Sequence, residues 1–106
     1  MDGPEFELEE VLDGSLLSGR NGAVQLPVGT LFNRVAKERV CEDGSHELVE
    51  SIPVQIVVRE VEIWRKSVPF AFARHSAGLR VDGPEMATLN ALLQSRVRHE
   101  VVYLRS

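Results

Sequence analysis

A chain of 106 residues, 43% of them apolar, fits one compact domain over residues 1–106, because a chain of this size can bury most of its unfolded surface. Twelve basic residues against sixteen acidic ones leave a net charge of −4, which disfavours generic nucleic-acid binding. A single cysteine, Cys41, excludes an internal disulfide framework.

The opening MDGPEFELEE is acidic and lacks the basic and apolar pattern of a signal peptide. No apolar run approaches the roughly 18 residues of a membrane span, so the expected location is cytoplasmic, with no membrane partner. Charge is unevenly spread. Residues 1–50 carry 4 basic and 11 acidic side chains, residues 51–106 carry 8 and 5. Either the fold has an acidic and a basic side, or the charges solvate exposed strand faces.

Phe6, Leu8, Val11 and Leu12 predict a first strand with Glu7, Glu9 and Glu10 on its wet side and a bulge where the alternation slips. Asp13 and Gly14 end it as a turn pair. Leu16 and Leu17 make a short second piece, and Asn21-Gly22 offers the positive backbone angles of a tight hairpin turn. Ala23 to Val28 follows with Val24, Leu26 and Val28 on one face, at a sheet edge because Pro27 has no amide hydrogen to donate. Gly29 and Thr30 turn the chain into Leu31 to Val40, and Asp43-Gly44 closes a hairpin onto His46 to Ile52.

The longest strand-like region runs from Pro53 to Gly83. Val61 and Ile63 alternate with Glu60 and Glu62, and Val68, Phe70 and Phe72 with Pro69, Ala71 and Ala73, which predicts both Phe rings inside. Arg65, Lys66 and Ser67 form the polar corner between the two arms. Pro84 suits a first helical position behind an Asp82 cap, and Met86, Leu89 and Leu93 recur with helical spacing, predicting an amphipathic helix over 84–96. The β-formers Val101, Val102 and Tyr103 predict a closing strand over 97–104. The expected fold is mostly β: a small closed β-barrel, preferred to a sandwich because closure leaves no edge to protect, with an inserted hairpin at 35–52 and a C-terminal helix plus strand.

Four segments in order, Gly22 to Thr30 (GAVQLPVGT), Val57 to Ile63, Pro69 to Ala73 and Ala77 to Gly83 (AGLRVDG), resemble the second domain of translation elongation factor Tu and related GTPases. Phe6, Glu9 and Val11 are similar to that family's opening strand. The resemblance implies a barrel of the translation-factor domain II type, whose relatives contact ribosomal RNA, the aminoacyl end of tRNA or neighbouring protein domains; fold analogy is an associational guide to function. The stretch 35–52 is longer than the family's usual connection, and 84–106 adds a helix and a strand. The matching positions are glycines and core residues, so no contact residue is carried over. The chain has no GTPase domain, and no GTP is expected on it.

Several stretches contain the residue types of known chemistry. Gly14 to Gly19 has the glycine spacing of a phosphate loop, but Arg20-Asn21 follow where Lys and Ser or Thr are needed for phosphate and magnesium. A two-residue Asp43-Gly44 loop would set Cys41 opposite His46, half of a zinc site for which His75 and His99 would have to arrive by folding. Asp43, Ser45 and His46 match a hydrolase triad in type but not in possible alignment, and no Gly-x-Ser-x-Gly elbow exists. Glu60 and Glu62 read as the solvent face of an alternating strand. No catalytic, metal or cofactor residue is assigned, and the chain is read as non-enzymatic.

Aromatic and basic side chains do fall together, in Trp64, Arg65 and Lys66, and again in Phe72, Arg74 and His75. The expected binding residues are Trp64, Arg65, Lys66, Arg74, His75 and Arg80. The first expectation for function is a module that binds a protein partner or a second copy of itself through a barrel face or the stripe Met86, Leu89, Leu93. The alternative is an RNA-contacting module, linked to ribosome or tRNA, that uses Arg59, Arg65, Lys66, Arg74 and Arg80.

Overall fold

A computed structural model describes residues 3–13, 15–83 and 86–106, with Asp13 described through its backbone only. In chain order the elements are β1 (Glu5–Asp13), β2 (Leu16–Asn21), β3 (Leu26–Pro27), β4 (Leu31–Val40), β5 (His46–Ile63), β6 (Lys66–Val68), β7 (Phe70–Ala71), β8 (Ser76–Asp82), α1 (Met86–Gln94) and β9 (Glu100–Arg105). The protein is mostly β. Pairing is antiparallel and runs β4–β9–β1–β2–β8–β5–β6, and β4 pairs with β5 as well. Among the described residues β4, β9, β1, β2 and β8 therefore have two ladder neighbours each and β5 has three, the short edge β6 being the third, while β3 and β7 form a ladder of their own.

Period-2 alternation fills the centre. Strand β8 buries Ala77, Leu79 and Val81 and turns Ser76, Gly78 and Arg80 outward; β9 buries Val102 and Leu104. These meet Phe6, Leu8, Leu17, Phe32, Ile56 and Val58 in one apolar cluster. Gly19, an inward position of β2, is glycine for a steric reason: a Cβ there would overlap the carbonyl oxygen of Glu7 and lie 2.7 Å from Cε2 of Phe6. The second glycine of the phosphate-loop spacing is thus an inward strand position; the first, Gly14, lies outside the described residues. The predicted slip in β1 is present, with register shifts between Leu8 and Glu10 and between Val11 and Asp13.

Local expectations failed where side chains took over from backbone turns. Asn21-Gly22 is no hairpin turn: Asn21 ends β2, 2% exposed, and its amide bonds backbone instead. Only Leu26–Pro27 of the 23–28 segment is strand, with Val24 and Val28 38% and 44% exposed. Pro69 separates β6 from β7, and in β7 it is Ala71, opposite Leu26, that faces the core. Phe70 is half-buried and Phe72 49% exposed.

The β4–β5 hairpin forms, but around a three-residue loop. Cys41 N donates to Ser45 O at 2.8 Å, Gly44 N to Cys41 O at 3.0 Å, and Gly44 takes φ 85°. The register therefore moves by one residue, and Cys41 faces Ser45 while His46 pairs with Val40. The expected Cys41–His46 pair does not exist.

The helix spans Met86–Gln94, not 84–96, and residues 84 and 85, with the expected Pro84 start, lie outside the described residues. Asp82 closes β8 and pairs with Arg59 at 2.6 Å instead of standing in line as a cap. Leu89 and Leu92 are 0% and 6% exposed, with Met86 and Leu93 packed on the same cluster. The apolar stripe is therefore core. Lys37 latches the far end: its Nζ donates to Ser95 Oγ at 2.7 Å and lies 4.0 Å from Glu100 Oε1, both charged side chains being nearly water-free. The closing strand starts later than expected, at Glu100. Among the described residues no helix is long and apolar enough to cross a membrane.

On the outer face, Arg105 ties three strands. Its Nε donates to Glu5 at 2.8 Å and its Nη1 to Glu38 at 2.6 Å, and Glu38 also meets His46 Nδ1 at 2.9 Å. The Arg105 hydrogen bond, and then that of His46, holds the Glu38 carboxyl below the usual carboxylate range against the opposing effect of burial.

Two outcomes are expected. Leu89→Ala should cost about 2 to 5 kcal/mol in urea unfolding, as a core truncation does; a surface helix would lose far less. E38Q should cost about 1 to 2 kcal/mol at pH 7, discounted for partial exposure. Because folding lowers the Glu38 pKa, this stabilisation is present above the ordinary value near 4.5 and is lost as pH falls through the folded value. The gap between wild type and E38Q should therefore close in acid.

Candidate binding groove

Two tight turns at one end of the sheet assemble the site. Strand β5 folds into β6 with Ile63 paired to Lys66, which leaves a loop of only Trp64 and Arg65. A two-residue hairpin must use a primed turn to match strand twist, and accordingly Trp64 and Arg65 take φ 56° and 63°. Asn-Gly is the usual occupant; here the turn carries an indole that is 91% exposed. Left-handed backbone costs an ordinary residue about 1 to 2 kcal/mol, and nothing apolar is buried at the tip to offset it.

The second turn, Phe72 to His75, is closed by His75 N donating to Phe72 O at 3.3 Å, with Arg74 at φ 63°. Residues 20–22 fasten it. Asn21 Nδ2 lies 3.2 Å from Ala71 O and 3.0 Å from Phe72 O, and Gly22 O accepts from Arg74 N at 2.8 Å. Arg20 Nε donates to Arg74 O at 3.0 Å. The ring of His75 meets the edge of Phe72 with centroids 5.5 Å apart.

Between these turns lies an open groove of about 940 Å³, lined by Leu12, Leu16, Ile63 and Trp64, by Arg20, Arg65, Arg74 and His75, and by Glu9 and Glu62. Its floor is low because the outward positions of β2 and β8 there are Ser18, Ser76 and Gly78, with Ser18 paired directly to Gly78. Among the described residues, Arg65 and Arg74 make no ion pair, whereas Glu62 of the same lining is paired with Arg80. Among the described residues, three of the four non-glycine residues with positive φ line this groove.

Four of the six sequence-derived site residues, Trp64, Arg65, Arg74 and His75, come together here. Lys66 stands beside the tip, exposed on β6, without lining the groove. Arg80 sits on the same outer face but is occupied, its Nε 3.4 Å from Glu62 and its Nη1 3.3 Å from Ser15 Oγ. Sequence reading missed Arg20 and Leu12. The signal for Arg20 was present, since Leu17, Gly19 and Asn21 point in and leave Arg20 out, but a glycine and an asparagine disguised the inward face. Chemically the arrangement offers an indole face, apolar walls and fixed guanidinium charge. Among the described residues no three His, Cys, Asp or Glu side chains are placed to hold a metal.

Replacing the tip by the residues its geometry favours, W64N/R65G, should raise stability by about 1 to 2 kcal/mol in urea unfolding, since relieved backbone strain outweighs the loss of a solvent-exposed ring. A drop in stability would show that the tip is held by packing instead. Compared with family models, with curated proteins and with solved structures, the chain has no match.

Proposed function

We propose that this chain is a non-enzymatic binding module, built on a closed β-barrel of the elongation-factor-Tu domain II type, whose groove takes an acidic segment of a protein partner. The return of the β5 ladder onto β4 supports the barrel. The carrying observation for the site is strain: three residues with left-handed backbone, Trp64, Arg65 and Arg74, line one groove. Strain of this kind persists where something other than stability selects it. Two guanidinium groups without an ion pair, beside apolar walls, match a segment that alternates carboxylates with aliphatic side chains. The core position of Leu89 removes the helix stripe as a docking face.

A second reading has its own support. An indole 91% exposed beside Arg65 and Arg74 is the pairing on which single-stranded RNA stacks its bases and seats its phosphates. The chain's net charge of −4 opposes any polyanion, and it opposes RNA, with a phosphate at every nucleotide, more than a segment whose carboxylates alternate with aliphatic side chains.

Trp64 is the chain's single tryptophan, so its emission reports on the groove directly. A short peptide alternating Glu and Leu should shift that emission to the blue and bind about tenfold more weakly to R65E/R74E. Oligo-uridine is the competing probe, tested at about 50 and 200 mM salt, where multi-phosphate contacts lose most of their affinity. Binding of oligo-uridine alone would establish the RNA reading; silence toward both probes would remove the groove as a binding site.

A further inference from the structure

We infer that the occupant of the groove is the β4–β5 arm of a second copy of this chain, which rests on the groove being a binding site as proposed above. The arm is the other conspicuous exposed element. Every residue from 42 to 51 is exposed. Along 46–52, β5 is paired to β4 only, whereas from Val57 to Glu62 it also pairs with β8.

Its chemistry complements the groove. Residues 40–50 contain Glu42, Asp43, Glu47 and Glu50 and no Lys or Arg. Asp43 is engaged with Ser45, and Glu47 lies 3.8 Å from Arg39. Among the described residues Glu42 and Glu50 have no cationic partner, as Arg65 and Arg74 have no anionic one. Between the carboxylates, Leu48 and Val49 are 59% and 43% exposed, and the register shift between Lys37 and Glu38 sets the extra residue of a bulge there. A bulge re-aims side chains and keeps an edge from pairing indiscriminately. Acidic groups flanking two aliphatic ones fit guanidinium groups flanking Trp64, Leu12 and Leu16.

The arm leads into β5 and the Trp64 tip follows its end, 18 residues later. No arm residue lines the groove of its own chain. Arm and groove are different surfaces, so the contact is heterologous: each copy has one of each, and association proceeds head to tail until a ring closes or the chain stays open.

Sedimentation velocity over a concentration series at about 50 and 200 mM salt tests this. The wild type should grow beyond monomer with concentration, less so at the higher salt. R65E/R74E and E42Q/E50Q, all at exposed positions, should each be monomeric with unchanged circular dichroism. Mixed together, they should form a one-to-one dimer and nothing larger, because one still carries a sound arm and the other a sound groove. A wild type monomeric throughout, or association that survives in both variants, overturns the inference. The Trp64 emission titration separates the two failures: a monomeric wild type that binds the Glu-Leu peptide keeps the groove and loses only the second copy as its occupant, whereas a monomer blind to the peptide loses both.

Discussion

An eighteen-residue strand, extended at about 3.3 Å per residue, would be far longer than a molecule whose largest dimension is 36 Å. Strand β5 must therefore bend. Extra residues in β5 interrupt its ladders at three places, Val49 and Arg59 among them, and one lies mid-strand: Phe32 pairs with Ile56 and Arg34 with Pro53, so β5 has one residue more than β4 between them. Pro53, which has no amide hydrogen for a ladder, is tolerated at such an interruption. With that bend β5 serves two neighbours in turn, β4 along its first half and β8 along its second. Everything else depends on this division. One end of the strand projects as the arm, the other delivers the Trp64 tip, and the ladder of six strands returns to where it began.

Polar side chains complete what the ladders leave open. Asn21 substitutes its amide for a backbone turn and binds the loop before β3 to the end of β7, with Nδ2 2.8 Å from Val24 O and 3.2 Å from Ala71 O. Lys37 and Glu100 sit where the helix end meets β4, and the nearly dry pair is tolerable because Ser95 and the amide of Val97 supply the remaining hydrogen bonds. Arg105 does the same on the wet side with Glu5 and Glu38. The bonds from Asn21 to Ala71, from Lys37 to Ser95 and from Arg105 to Glu5 and Glu38 are long-range. They join residues that no local pattern would connect.

The groove inherits its character from the same economy of backbone. Ser18 opposite Gly78 lowers the sheet surface, and the two turns beside it raise charged and aromatic side chains at its rim. A turn built for stability would place Asn and Gly where Trp64 and Arg65 stand. Here the costlier backbone carries an indole that reaches solvent almost entirely. The arm shows the converse: it is blunted by charge and a bulge, as edges that must not pair at random are, yet it keeps Leu48 and Val49 exposed.

By itself the sequence determined the β character, the alternation of Val61 and Ile63 with Glu60 and Glu62 along β5, the slip in β1, the existence of the 40–46 hairpin and a helix after Gly83, because side-chain period and turn chemistry act over a few neighbouring residues. It also singled out Trp64, Arg65, Arg74 and His75. What it could not contain was which polar residue would find a distant partner. Arg80 read the same as Arg74 until Glu62 claimed it; Asn21 read as a turn until the carbonyls of Ala71 and Phe72 came within reach; Cys41 faced His46 until a third loop residue moved the register. Only the tertiary structure decided these, because charge cancellation, amide satisfaction and register depend on approach between segments tens of residues apart, and a one-residue shift reverses every face beyond it.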